Sequence, residues 1–103
     1  MVGGYTEVHE DQLASVRAED GFIKSEEAAR KKYAEDHNEN LGQLVKVYQQ
    51  VVAGMNYKMV FETPSGQVEI DVFAQPWTET YQVTGVQRVY QAVWFLIAFI
   101  SSF

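Results

Sequence analysis

Alternating residues in the second half of the chain limit its fold more than any other feature. Apolar side chains, most of them large, fall at every second position over residues 57–61 and again over residues 68–74. A period of two predicts half-buried antiparallel strands, each with one face on a core and the other toward water. Between them, Thr63, Pro64, Ser65 and Gly66 place proline and glycine where a type I turn prefers them. The pattern therefore predicts a β-hairpin within an antiparallel sheet.

The rest of the chain predicts one helix and further strands. Segments rich in β-branched and aromatic residues at about 44–48 and about 80–86 predict a strand on either side of the central hairpin. The helix is predicted from Phe22 or Ser25 to Asn38, with Ser25 as N-cap, and its start stays open because Leu13 and Val16 lie upstream. Its apolar stripe consists of Phe22, Ala29, Tyr33 and His37. The economical assembly is an α+β domain with one helix on three or four antiparallel strands.

Composition narrows the functional classes. The 103 residues suffice for one domain and are too few for two. A net charge of −6 disfavours nucleic acid as a partner, because phosphates are met by a basic surface. The absence of cysteine excludes disulfides and favours a reducing, cytoplasmic setting, and the first residues do not resemble a signal peptide. His9 and His37 lack a third metal ligand, and no motif indicates catalysis, a cofactor or a small-molecule substrate.

A second informative segment consists of Gln50, Val51, Val52, Ala53 and Gly54. Small and β-branched residues before a glycine predict a narrow hairpin tip with little bulk, and Gly54 supplies the backbone freedom of a reversal. Taken alone, these residues fit an ordinary β-hairpin better than any special role. The functional alternative is a blunt, apolar tip that enters a groove of another protein.

Pro76 and Trp77 mark a second loop. Proline has no amide proton to donate to a β-ladder, so Pro76 ends the preceding strand and puts Trp77 in the connection. Two interpretations stay open: Trp77 folds back over the core, or it is an exposed aromatic anchor of the kind enriched at binding hot spots. In a meander, the loop after Gln50 and the loop after Ala74 lie at the same end of the sheet, and the N-terminal segment can reach that end.

Three segments of this chain resemble the contact elements of cystatins, the protein inhibitors of papain-like cysteine proteases. They are Gly3-Gly4, the run from Gln50 to Gly54, and Pro76-Trp77. Likeness to the disulfide-free, intracellular stefin branch covers about residues 3–87 and includes Asn38-Glu39, Gly42, the run QVVAGMNY from Gln50 to Tyr57, and Val83-Thr84-Gly85. Two features depart from that branch: Pro76-Trp77 is more like plant or secreted cystatins, and the stretch from Gly4 to the helix is longer than in a typical stefin.

The resemblance implies a fold and a function. The fold is cystatin-like, with one helix packed on a four- or five-stranded antiparallel sheet, in an inhibitor domain over residues 1–88 that begins with a flexible trunk at 1–8. Gly4 would lie along the non-primed subsites of the protease, Gln50 to Gly54 would cover its catalytic cysteine, and Pro76-Trp77 would touch the primed side. Such a wedge implies reversible, competitive inhibition of cathepsin-type proteases by a cytoplasmic monomer that is not an enzyme and needs no cofactor or metal.

The tail, residues 89–103, is the largest departure from the family. After Arg88 no residue is charged, and nine apolar residues follow one another. As a helix the tail spans roughly 22 Å, short of the ~30 Å hydrocarbon core of a bilayer. It is an extra buried strand, a contact for self-association or a membrane surface, or an end without a role. The rival function follows: a non-inhibitory cystatin-fold binding module that self-associates or contacts membrane through this tail.

Overall fold

The computed structural model describes residues 4–89, which form two helices packed on a five-stranded antiparallel sheet. The helices and strands are β1 (Thr6–Glu7), α1 (Glu10–Arg17), α2 (Asp20–His37), β2 (Leu44–Val52), β3 (Gly54–Thr63), β4 (Gly66–Gln75) and β5 (Thr80–Val89). A 3₁₀ turn, Pro76–Thr78, joins β4 to β5. The expectation of one helix is corrected to two, and the α+β class is confirmed.

The strands follow one another across the sheet in chain order, β1-β2-β3-β4-β5. Each pairs antiparallel with the next, and β1 pairs with β2 through Thr6 opposite Gln49 and Glu7 opposite Tyr48. The two predicted central strands are β3 and β4, joined by a two-residue turn at Pro64-Ser65. A meander of this kind puts the β2–β3 connection and the β4–β5 connection at one end of the sheet.

The boundaries of α2 differ from the prediction at the start and agree at the end. The helix begins at Asp20, so Ser25 is not a cap; its buried hydroxyl donates a 2.7 Å hydrogen bond to the carbonyl oxygen of Gly21. A hydroxyl inside a helix can bond to the carbonyl four residues back, which is what Ser25 does. The predicted stop is confirmed: Asn38 adopts the left-handed conformation and its amide donates to Ala34.

The core lies between the helices and one face of the sheet. Phe22 of α2 is fully buried and meets Tyr57 of β3 edge-on, with 5.1 Å between ring centroids. Three of the four residues of the predicted helical stripe are buried, whereas His37 is exposed and stacks on Tyr33. From the sheet the core receives Leu44, Val47, Tyr57, Met59, Phe61, Val68, Ile70, Val72 and Ala74.

The tail beyond Val89 lies outside the described residues, so its predicted strand or contact role stays a prediction. Gly3 and the first part of the predicted trunk also lie outside them. Within residues 4–89, neither helix has the length and apolar character needed to cross a membrane.

Candidate functional site

The β2–β3 hairpin turns through a single residue, Ala53. Val52 is paired with Gly54 across the turn, and Val51 with Met55. Gly54 has a φ of 121°, which an L side chain rarely adopts, and a Cβ at this position would overlap the carbonyl oxygen of Ala74 on β4. Only glycine permits this backbone and this close approach of strands. The narrow tip predicted from residues 50–54 is therefore present.

The tip projects apolar side chains into solvent. Val51 is 79% exposed and Val52 is 42% exposed, although both belong to a strand. Exposed aliphatic residues are ordinary when they are scattered, and they carry meaning when they gather at one place. These two directly precede the one-residue turn and form an apolar surface on its β2 side.

The β4–β5 connection lies beside the tip and carries Trp77. The 3₁₀ turn Pro76–Thr78 follows Gln75 directly, and Trp77 is 69% exposed. The two interpretations of Trp77 are thereby decided in favour of the exposed side chain, which does not cover the core. Glu79 closes the turn in the left-handed conformation, with its amide donating to Pro76.

A side-chain hydrogen bond joins the two loops. The Gln75 amide nitrogen, Nε2, donates to the carbonyl oxygen of Ala53 over 3.1 Å. The hydroxyl of Thr78 lies 2.9 Å from the other end of the same amide, Gln75 Oε1. Neither Gln75 nor Thr78 is among the sequence-predicted site residues. The sequence gives little sign that these two residues belong to the site, because a polar residue at the end of a strand is usually solvated.

The N-terminal segment reaches the same region through β1. Gly4 has a φ of 61°, and a Cβ there would lie 3.4 Å from Nε2 of Gln50. The amide of Gln50 is itself held from β3, because Asn56 Nδ2 donates to its Oε1 over 2.9 Å. Gly4 and the side chain of Gln50 are therefore neighbours at the base of the tip.

Tyr5 fixes the N-terminal segment on the outer face of the sheet. Its ring lies over Lys58, with Nζ 4.8 Å from the centroid, and Lys58 Nζ is 3.3 Å from Asp71 Oδ1. Burial raises the pKa of the Asp71 carboxyl, and the positive charge of Lys58 opposes that rise. Burial likewise raises the pKa of the Tyr5 hydroxyl. These contacts hold the segment against the sheet directly after Gly4.

Helix α2 also approaches the loops at this end. Its first turn contains Gly21, where a Cβ would lie 3.6 Å from Cγ of Pro76. We use the name loop end for the surface formed by Gly4, Gln50 to Gly54, and Pro76-Trp77. It brings together every sequence-predicted site residue that the structure describes.

The loop end offers shape and a few amide and hydroxyl groups, with no reactive side chain. The residues from Gln50 to Gly54 and from Gln75 to Thr78 contain no carboxylate, imidazole, thiol or amine. Across the described part of the chain, no three His, Cys, Asp or Glu residues gather closely enough to hold a metal ion. Contact with another molecule at this surface would be made through its shape, its apolar side chains and its amide groups.

No family model matches the chain, and no curated protein matches it. The functional argument therefore depends on the residues and geometry of the loop end.

Proposed function

We propose that this protein is a cystatin-like, reversible and competitive inhibitor of papain-like cysteine proteases. The observation that carries the proposal is the gathering of Gly4, the one-residue tip at Ala53, and exposed Trp77 at one end of the sheet. These are the segments that resemble the three cystatin contact elements, and they are far apart in sequence. An apolar, narrow and unreactive surface suits a deep cleft whose catalytic residue must be covered and not engaged.

In the proposed complex the tip enters the cleft above the catalytic cysteine. Val51 and Val52 exclude water there, and the Ala53-Gly54 backbone approaches closely because neither residue has a long side chain. Trp77 supplies an aromatic anchor on the primed side, and Gly4 lets the N-terminal segment lie along the non-primed side. A competitive inhibitor of this type is governed by shape complementarity and a few desolvated anchors. The chain acts in the cytoplasm in this proposal, in keeping with its lack of cysteine.

The test is steady-state inhibition of papain on a fluorogenic peptide substrate by the full chain. The apparent KM should rise with inhibitor concentration at constant kcat, and activity should return after dilution. An unchanged rate at a large molar excess of the chain would overturn the proposal and favour the non-inhibitory binding module. A fall in kcat at constant KM would place binding outside the cleft.

Three variants locate the contact. Gly54→Glu should weaken inhibition at least about tenfold, because its Cβ has no room beside the carbonyl oxygen of Ala74, so the tip must shift, and a charge is added to the proposed interface. Trp77→Ala should weaken it less, because the second loop is the auxiliary contact. Val45→Ala is the matched control: Val45 is also exposed, at the opposite end of β2, and inhibition should not change. Equal inhibition constants for all three variants would remove the loop end from the mechanism.

A further inference from the structure

We propose that Gln75 is a positioning residue that fixes the β2–β3 tip against the β4–β5 connection, so that both loops meet a protease as one preformed surface. The inference rests on the proposed function and goes beyond it, because no contact with the protease is assigned to Gln75 itself. Gln75 acts through Ala53, whose peptide group it holds.

The hydrogen-bond chemistry determines how the Gln75 amide is oriented. The carbonyl oxygen of Ala53 can only accept, so the atom facing it at 3.1 Å must be the amide nitrogen. That orientation turns Oε1 toward Thr78, whose single hydroxyl proton is within reach of both Oε1, at 2.9 Å, and the backbone carbonyl oxygen of Gln75, at 3.0 Å. The Thr78 hydroxyl is in turn 2.8 Å from that of Thr80, at the start of β5. Both ends of the Gln75 amide therefore have a partner, one in each loop.

A second contact from β4 reaches the same tip. The backbone at Gly54 lies so close to Ala74 that no Cβ fits between them. Adjacent residues of β4, Ala74 and Gln75, thus touch adjacent residues of the tip, Gly54 and Ala53. One contact is steric and the other is a directed hydrogen bond. Together they set both the distance and the rotation of the Ala53-Gly54 peptide relative to the loop that carries Trp77.

Fixing the tip in the free protein reduces the conformational entropy that is lost on binding. A loop that becomes ordered only in the complex loses conformational entropy on binding, and that loss weakens the affinity. Residue Ala53 is exposed at a one-residue turn, where few contacts restrain it. A hydrogen bond to its carbonyl oxygen removes part of that freedom in the free protein. The bond is therefore expected to strengthen inhibition without touching the protease.

The test compares Gln75→Ala and Gln75→Glu with a matched control, Gln43→Ala. Gln43 is an exposed glutamine before β2, at the opposite end of the sheet from the tip. Gln75→Ala should weaken papain inhibition about threefold to tenfold, the scale of one lost hydrogen bond plus loop ordering. Gln43→Ala should leave inhibition unchanged. All three variants should unfold within a few degrees of the wild type, which would exclude a general loss of structure.

The pH dependence of Gln75→Glu separates a directed hydrogen bond from simple loss of packing. At pH 7 a glutamate carboxylate cannot donate, and it repels the Ala53 carbonyl oxygen. Below the ordinary glutamate pKa of about 4.3, the protonated carboxyl regains a donor. The ratio of the variant to the wild-type inhibition constant should therefore fall as the pH is lowered from 7 to about 4. A ratio that stays constant over this range would overturn the positioning role.

A measurement on the free protein keeps this inference separate from the proposed function. Backbone ¹⁵N relaxation should show larger amplitudes of fast motion, that is lower order parameters, for the Ala53 and Gly54 amides in Gln75→Ala than in the wild type. In Gln43→Ala the order parameters of these amides should not change. Unchanged relaxation would overturn the positioning role even if papain is inhibited. Increased mobility in a chain that does not inhibit papain would support the positioning role and overturn the proposed function.

Discussion

At the residue scale, the loop end depends on two glycines and on apolar side chains that are exposed. Gly54 has no Cβ because the carbonyl oxygen of Ala74 occupies its place, and Gly4 has a positive φ beside Gln50. Val51 and Trp77 are exposed although each is large and apolar. Glycine is the residue that fits the backbone at the first two positions, whereas the two exposed apolar side chains contribute little to the core. Their gathering at one end of the sheet is what supports the proposed contact surface.

Two glycines on the same sheet separate backbone strain from steric overlap. Gly54 and Gly66 have φ values of 121° and 131°, but a Cβ at Gly66 would meet nothing within 4 Å. Gly66→Ala should lower the free energy of unfolding by about 1–2 kcal/mol, from backbone strain alone. Gly54→Ala should lower it by about 3 kcal/mol or more, because overlap with Ala74 is added.

Urea denaturation of the two variants measures this difference, and papain inhibition adds a second readout. Only Gly54→Ala should weaken inhibition, since Gly66 lies at the other end of β4. Equal losses of stability in the two variants would mean that β3 and β4 separate easily at the tip.

At the element scale, α2 shows which helix boundaries can be predicted from sequence. Its end was predictable, because Asn38 tolerates the left-handed conformation that stops a helix. Its start was not, because Ser25 has the identity of a cap while its buried hydroxyl bonds within the helix. The sequence left the region of Leu13 and Val16 open as an upstream extension of α2, and the structure forms a separate helix there, α1. Of its eight residues only Val16 is buried, so its sequence shows little amphipathic pattern.

The left-handed cap of α2 predicts opposite effects for two substitutions at Asn38. Asn38→Gly should leave the free energy of unfolding unchanged or raise it, because glycine adopts a φ of 52° without steric cost. Asn38→Ala should lower it by about 1 kcal/mol, since alanine is strained there. Thermal unfolding by circular dichroism distinguishes the two. A higher melting temperature for Asn38→Ala than for Asn38→Gly would contradict the observed cap.

At the scale of the whole molecule, the meander was predictable and the joining of its loops was not. Alternation over residues 57–61 and 68–74 predicted β3 and β4, and a meander puts the two connections at one end. The hydrogen bond from Gln75 to Ala53 joins residues 22 apart and depends on how closely two turns approach. Short-range sequence patterns carry no information about such a distance. The same limit applies to the closeness of Gly21 to Pro76.

The central claim is that the loop end fills the cleft of a papain-like protease, and active-site titration tests it most directly. Papain of known active-site concentration is mixed with increasing amounts of the full chain, and the remaining activity is measured. A linear loss of activity that reaches its end point at equimolar chain is the expected result, with Gly54→Glu giving a shallow curve under the same conditions. Full papain activity in a molar excess of the wild-type chain would contradict the claim.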